Sequence, residues 1–155
     1  MNVAALLDRA KAANLRIATA ESCTGGMVAV ALTDIPGSSA VFERGFVTYT
    51  NDAKMQMLGV LRPTLDAFGA VSEQVAQEMA DGAVAYSGAG LAVSITGIAG
   101  PGGSEFKPEG RVCFGVATVG RKTITETREF GAIGRANVRN AACDHALGLL
   151  ARSLT

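Results

Sequence analysis

The hydrophobic positions of the chain follow two periods, one typical of helices and one typical of strands, and the two alternate along its length. Apolar residues spaced three and four apart predict an amphipathic helix over residues 2–13, and the apolar run from Leu15 to Ala20 predicts a buried strand. The same patterns predict the remaining elements: a helix that opens at 24 and stops before Pro36, a short helix around Lys54, longer helices from Ser72 and over 134–153, and strands over 42–50, 91–96, 111–119 and 122–130.

Helices that alternate with strands favour a mostly parallel sheet covered on both faces, because a helix carries the chain back before the next parallel strand begins. The last two strands differ, since Gly120 and Arg121 between them are typical of a hairpin and hence of an antiparallel pair. The prediction is an α/β protein, a three-layer α/β/α sandwich with a mixed, mostly parallel sheet. No repeat or linker interrupts the pattern, so residues 1–155 are expected to form a single domain.

The composition is that of a compact globular protein, with 48% hydrophobic and 18% charged residues in a chain of 155. Lys and Arg together number 14, as do Asp and Glu, and this balance disfavours a nucleic-acid binder, which needs a basic face. A single local phosphate site remains compatible with it. No stretch approaches the roughly 20 apolar residues of a membrane helix, and the first 13 residues do not resemble a signal peptide. We therefore expect a cytoplasmic protein with no membrane partner.

The three cysteines, Cys23, Cys113 and Cys143, are widely separated in the sequence. Their spacing matches neither a zinc site nor a disulfide framework, so free thiols and no bound metal are expected. The glycine-rich segment 97–103 lacks the patterns of dinucleotide and nucleoside-triphosphate loops. No cofactor is therefore predicted.

Ser22 lies where a predicted strand ends and a glycine-rich helix start begins. The first N–H groups of a helix lack internal partners and favour negative charge, and Gly25 and Gly26 would let an oxyanion or a phosphate approach them. The same position is also typical of an ordinary cap, in which Ser22 or Thr24 satisfies those groups. Position alone favours the cap over a catalytic or anion-binding role.

A serine nucleophile needs a base, and His145, the one histidine, falls near the inner face of the last predicted helix, which favours a structural role. A lysine can act instead if burial or neighbouring charge lowers its pKa. Lys54 follows a strand-to-helix junction, where sites gather in α/β proteins, although a solvated lysine is the commoner outcome there. Asn51 or Asp52 is the predicted cap of the helix that carries Lys54.

Cys23 is intrinsically a stronger nucleophile than Ser22. We rank it behind Ser22 because a cysteine at such a position is more often a small core residue.

Two arginines, Arg135 and Arg139, lie four residues apart in the first turns of the last predicted helix. Arginine opposes the helix dipole there, which points to an anionic ligand or an acidic partner. A solvated face is nevertheless the more frequent explanation of such a pair.

Three motifs occur together and in order: Thr19-Ala20-Glu21-Ser22-Cys23-Thr24-Gly25-Gly26, then Tyr49-Thr50-Asn51 followed by Lys54, then Thr96-Gly97-Ile98-Ala99-Gly100-Pro101-Gly102-Gly103. On these motifs the chain resembles the C-terminal domain family of the competence/damage-inducible protein CinA, over nearly its whole length. The resemblance implies a single amidohydrolase domain, without the larger N-terminal domain that many relatives carry.

The resemblance implies nicotinamide-nucleotide amidase activity, the hydrolysis of nicotinamide mononucleotide to nicotinic acid mononucleotide and ammonia in NAD recycling. It implies a metal-independent Ser/Lys mechanism in which Ser22 is the nucleophile, Lys54 its base and Tyr49 a supporting residue. We expect N–H groups around Thr24, Gly25 and Gly26 to hold the oxyanion. The candidates for the substrate phosphate are Gly100, Gly102, Gly103, Lys107 and Arg139.

Glu109 departs from the family pattern, since the resemblance leads us to expect an apolar residue at this position. The departure affects the expected lining of the nucleotide pocket.

The alternative to an enzyme is a non-catalytic nucleotide-binding or protein-interaction module associated with competence or DNA damage. Compactness and apolar helix faces favour a homo-oligomer, with a dimer the simplest form.

Overall fold

The computed structural model of the protein describes residues 1–104 and 106–155, in which one or more helices separate each strand from the next as far as β3. The elements in chain order are α1 (Val3–Ala12), β1 (Ile17–Glu21), α2 (Met27–Thr33), a short 3-10 helix (Ser38–Ala40), β2 (Phe42–Val47), α3 (Asn51–Leu58), α4 (Arg62–Phe68), α5 (Glu73–Ser87), β3 (Leu91–Gly97), β4 (Arg111–Thr118), β5 (Ile124–Glu129) and α6 (Arg135–Ser153).

The described strands form one sheet in the order β2-β1-β3-β4-β5. β1 pairs in parallel with both β2 and β3, whereas β4 is antiparallel to β3 and to β5. β4 is thus the one described strand that runs against the others, which confirms the mixed, mostly parallel sheet and the terminal hairpin. One irregularity lies in β2: Ile17 is opposite Phe42 and Ala18 is opposite Arg44, so Glu43 is an extra residue.

The two faces of the sheet are covered by different helices, which confirms the three-layer sandwich. On one face, α1, α2 and α6 pack on the larger side chains of β3 and β4, such as Leu91, Val93 and Phe114. On the other face, α3, α4 and α5 pack on smaller residues, including Ala18, Ala20 and Ala92. This division follows from strand geometry, because successive side chains point to opposite faces.

Two local features differ from the sequence prediction. Thr50, rather than Asn51 or Asp52, caps α3, because its side chain accepts a hydrogen bond from the Ala53 N–H at 3.0 Å. The helix α4 was not predicted; it has a proline in its first turn, a position where the missing N–H has no cost. Within the described part of the chain, every helix is too short or too polar to cross a lipid bilayer.

Candidate active site at the ends of three parallel strands

A cleft of about 330 Å³ lies at the carboxyl ends of β1, β2 and β3. Ser22 follows β1, Tyr49 follows β2, and the glycine-rich loop 97–103 begins at the end of β3; all three contribute to its walls. The chain leaves β1 through α2 on one face and enters β3 from α5 on the other, so the cleft is at the switch point of the sheet. Ligands bind at this place in open α/β sheets.

The side chains of Ser22 and Lys54 meet on the floor of the cleft. Lys54 Nζ lies 3.2 Å from Ser22 Oγ and donates a hydrogen bond to it. Both residues are buried, with exposed fractions of 2% for Lys54 and 7% for Ser22. Burial disfavours the charged form of an amine, and a neutral amine is the form that can accept a proton from a serine hydroxyl.

Strand pairing aligns this pair through backbone groups. The Thr48 N–H donates to the Glu21 carbonyl at 2.9 Å, which extends the pairing of β2 with β1, and Lys54 Nζ donates to the Thr48 carbonyl at 3.1 Å. On the other side of β1, the Ser22 N–H donates to the Ile95 carbonyl of β3 at 2.9 Å. Ser22 is therefore fixed directly by β3 and, through the neighbouring Glu21, by β2, and Lys54 is tied to the residue that follows β2.

Cys23 also lines the cleft, beside Ser22. Burial raises the pKa of the Cys23 thiol to about 11, and this outweighs the opposing effects of a backbone hydrogen bond and of Arg139. The thiol stays protonated at neutral pH, and the thiolate is the reactive form of cysteine. The environment thus favours Ser22 over Cys23 as nucleophile.

The three residues expected to hold an oxyanion belong to the turn that follows Ser22. Thr24, Gly25 and Gly26 are not among the described residues that line the cleft. The Gly25 N–H donates to the Ser22 carbonyl at 3.0 Å, and the second and third N–H groups of α2, those of Val28 and Ala29, donate to the Glu21 carboxylate. Gly25 and Gly26 instead border a shallow apolar depression on the outer side of α2.

Arg135 is a residue of the cleft that sequence reasoning did not place there. Its guanidinium donates to the Gly100 carbonyl at 2.7 Å and to the Tyr49 hydroxyl at 2.7 Å, so it connects two walls of the cleft. Its spacing from Arg139 was the available signal, but spacing cannot show which arginine faces the cleft. Tyr49 itself is more than half exposed.

The two cations predicted to bind the phosphate, Lys107 and Arg139, are not among the described residues that line the cleft, and both donate to backbone carbonyls. Lys107 Nζ donates to the carbonyls of Phe68 and Val71 at 2.6 and 2.7 Å. Arg139 donates from Nε to the Cys23 carbonyl at 3.1 Å and from Nη2 to the Thr24 carbonyl at 3.4 Å. The structure thus joins Lys107 to the loop after α4 and Arg139 to the turn that follows Ser22.

Gly100, Gly102 and Gly103 all line the cleft. The carboxylate of Glu109 lies beneath this loop and accepts a hydrogen bond from the Gly102 N–H. Gly100 has a φ of 92°, in the left-handed region that favours glycine, and a Cβ there would stand 2.6 Å from Glu109 Cδ. Glu109, where an apolar residue was expected, is therefore hydrogen-bonded to this loop.

His145 lies outside the cleft, as its predicted structural role requires. Its ring packs against Phe114 with the centroids 4.7 Å apart, and Nε2 contacts the carboxylate of Glu126. Among residues 1–104 and 106–155, no group of three or more His, Cys, Asp or Glu side chains is arranged to hold a metal ion.

Known proteins resemble this chain in both sequence and structure. The nicotinamide-nucleotide amidohydrolase PncC of Escherichia coli K12 is 56% identical over 141 residues, which cover 90% of this chain and 85% of that protein. A CinA-like protein of Chloroherpeton thalassium is 57% identical over 126 residues, covering 79% of this chain but 30% of the relative. The chain spans between 24% and 30% of the CinA-like relatives it matches.

The fold agrees with these matches. The crystal structure of the competence/damage inducible protein CihA from Agrobacterium tumefaciens has a TM-score of 0.93 and 48% sequence identity, covering 98% of this chain and 92% of that one. The family model of the CinA C-terminal domain matches residues 2–154, a range that contains the whole cleft. The chain therefore belongs to the CinA C-terminal domain family.

Proposed function

We propose that the protein is an amidohydrolase that converts nicotinamide mononucleotide to nicotinic acid mononucleotide and ammonia, with Ser22 as nucleophile and Lys54 as general base. The buried contact of 3.2 Å between Lys54 Nζ and Ser22 Oγ is the observation that carries this conclusion. The similarity to PncC, whose name gives a nicotinamide nucleotide as its substrate, supports the choice of substrate.

In the acylation step, Ser22 Oγ attacks the carboxamide carbon while its proton passes to Lys54 Nζ. The C–O bond forms, and the carbonyl electron pair moves to the oxygen of a tetrahedral intermediate. Lys54 then donates the proton to the amide nitrogen, the C–N bond breaks, and ammonia leaves. The product of this step is an ester between Ser22 and the nicotinoyl group, which still carries the ribose phosphate.

Hydrolysis of the ester by water completes the reaction. The water attacks the ester carbon while Lys54 takes a proton from it, and the proton returns to Ser22 Oγ as the C–O bond to the enzyme breaks. One buried base thus serves both half-reactions, and no step requires a metal ion.

The size of the cleft is consistent with a single nucleotide as substrate. Its volume of about 330 Å³ lies at the lower end of the range for small-molecule sites. With the carboxamide at Ser22, we propose that the phosphate lies near Arg135 and the loop containing Gly100, Gly102 and Gly103. Arg135 now donates to two neutral oxygens, and a phosphate would give it stronger, charge-assisted bonds.

Ammonia release from three related substrates tests the proposal. We expect turnover of nicotinamide mononucleotide, with kcat/KM for nicotinamide riboside lower by about 10- to 100-fold because it lacks the charged group. Nicotinamide should be the poorest substrate, and EDTA should leave the rate unchanged. Binding of the mononucleotide without turnover would contradict the proposal and favour the non-catalytic nucleotide-binding module.

Replacing Arg135 with glutamine tests the phosphate position. We expect KM for the mononucleotide to rise about 10-fold, because a charge-assisted pair is lost, while KM for the riboside stays within about twofold. Arg121→Gln is the matched control, since Arg121 lies at the β4–β5 hairpin beside a separate surface groove. An equal loss on both substrates would show that Arg135 acts through Tyr49 and Gly100 alone.

A further inference from the structure

We infer that Glu21 is a positioning residue, whose carboxylate holds the turn after β1 so that Ser22 Oγ stays against Lys54. This inference rests on the proposed role of Ser22 as nucleophile. It assigns a function to the residue before Ser22, to Thr24 and to Arg139 that differs from binding an oxyanion or a phosphate.

The Glu21 carboxylate is fully buried and accepts hydrogen bonds from two segments. Oε1 accepts from the Thr24 hydroxyl at 2.6 Å and from the Val28 N–H at 3.0 Å, and Oε2 accepts from the Ala29 N–H at 3.1 Å. Bonds to a carboxylate are among the stronger ones in proteins, and they offset the cost of burying it. The end of β1, the turn and the first turn of α2 are thus joined at one group.

The sequence of α2 makes this contact necessary. Its N-cap is Gly26, which has a φ of 110° and offers no side-chain acceptor to the first N–H groups of the helix. Glu21, at the end of the preceding strand, supplies the missing acceptor. The chain between the two ends, residues 22–26, is therefore held as a closed turn with Ser22 at its start.

The same residue also connects to the base. The Glu21 carbonyl accepts from the Thr48 N–H, and the Thr48 carbonyl accepts from Lys54 Nζ. The backbone of Glu21 therefore fixes the support of Lys54, while its side chain fixes the turn that begins at Ser22. A shift of Glu21 would change the separation of the two reacting groups from both directions.

Arg139 holds the turn from the opposite side. Thr24 donates its hydroxyl to Glu21, whereas its carbonyl and that of Cys23 accept from the Arg139 guanidinium. A Cβ added at Gly25 would lie 3.4 Å from Arg139 Nη2, so the arginine lies close against the turn. Thr24 is therefore the link through which the two charged side chains hold the nucleophile segment.

The chain contains a matched arrangement away from the cleft. The Glu78 carboxylate accepts from the Thr64 hydroxyl at 2.6 Å and from the Leu61 N–H at 2.9 Å, and so caps the start of α4. It combines the same chemical groups, a buried or part-buried threonine hydroxyl and a backbone N–H on one carboxylate. Thr64→Val is therefore the control for Thr24→Val, with equal change in side chain and no link to Ser22.

The experiment measures the chemical reactivity of Ser22 in wild type, Thr24→Val, Thr24→Ser and Thr64→Val. A fluorophosphonate reports it directly: the bond from Ser22 Oγ to phosphorus forms, the P–F bond breaks, fluoride leaves, and the serine proton passes to Lys54. Each variant is assayed the same number of degrees below its own melting temperature, and the modification rates are compared. The kcat and KM for the mononucleotide are measured for the same variants.

We expect Thr24→Val to lower the modification rate and kcat by about 10- to 100-fold, because small displacements of reacting groups have effects of this size. KM should stay within about twofold, and Thr24→Ser should recover most of the rate by restoring the hydroxyl. Thr64→Val should lower the melting temperature while leaving the modification rate at the wild-type value.

Equal rates in Thr24→Val and Thr64→Val would overturn the inference, since Glu21 would then be only a structural cap. A wild type that is labelled at Ser22 but releases no ammonia from the mononucleotide would overturn the proposed substrate and leave the positioning comparison valid. A wild type that shows neither labelling nor turnover would overturn both, because Ser22 would not be a nucleophile.

Discussion

Replacing Ser22 with alanine is expected to lower kcat for ammonia release from nicotinamide mononucleotide by about 10⁴-fold or more, the scale on which loss of a covalent nucleophile acts. The fold should be retained, because the backbone hydrogen bond from Ser22 to Ile95 does not involve the side chain. Steady-state ammonia release, with melting temperature as the check on folding, measures the effect.

Lys54→Met completes this prediction by removing the base while keeping a long apolar side chain. We expect kcat to fall by about 10²- to 10⁴-fold, the usual contribution of a general base. Stability should be preserved, because Lys54 is buried and methionine adapts well to such space.

Cys23→Ala is the matched control for both variants, since it removes a neighbouring potential nucleophile from the same cleft. It should retain activity, because the pKa of about 11 keeps the thiol protonated. An active Ser22→Ala together with an inactive Cys23→Ala would replace the serine mechanism with a thiol mechanism.

Gly82→Ala is expected to destabilise the protein by about 3 kcal/mol, although alanine is the better helix former. Gly82 lies within α5, and a Cβ there would stand 2.0 Å from the carbonyl oxygen of Leu58, the last residue of α3. The two helices would have to separate, and α3 carries Lys54. The free energy of unfolding in denaturant measures the cost, and kcat should fall with it as Lys54 moves from Ser22.

Gly148→Ala provides the control within another helix. The added Cβ would meet only Met1 Cε at 3.9 Å, an ordinary contact, so the substitution should stabilise the protein by up to about 1 kcal/mol. Equal, stabilising effects at both positions would show that α3 and α5 do not need the close approach seen at Gly82.

The pattern of hydrophobic residues was sufficient to predict the fold class, because β1, β3 and β4 are buried along almost their whole length while the amphipathic helices bury one face. The proposed catalytic pair, Ser22 and Lys54, was harder to predict. A strand end and a glycine-rich turn drew attention to Ser22, but Lys54 alone resembled a solvated lysine, since its burial depends on β2 pairing and on the packing of α3 against α5. Only the motif order linked the two residues before the structure did.

The surroundings of the pair could not be predicted for a related reason. Arg135 and Arg139 look equivalent by spacing, yet the start of α6 directs one to the cleft and the other to the Cys23 and Thr24 carbonyls. By position, an ordinary cap by Ser22 or Thr24 was favoured over an open anion site, but neither residue caps α2. The acceptor for the N–H groups at the start of α2 is Glu21, which is the last residue of β1. Sequence patterns for helix caps do not include a residue of the preceding strand.

The extra residue in β2 has a consequence for how the protein can vary. Glu43 is passed over in the pairing with β1, and from Arg44 onwards the register is constant up to the Thr48 contact with Glu21. The number of residues from Arg44 to Lys54 therefore sets the position of Lys54 relative to β1. One residue inserted or deleted in this segment would separate Lys54 from Ser22 without altering either side chain. A change of length before Glu43 would leave the distance between the two residues unchanged.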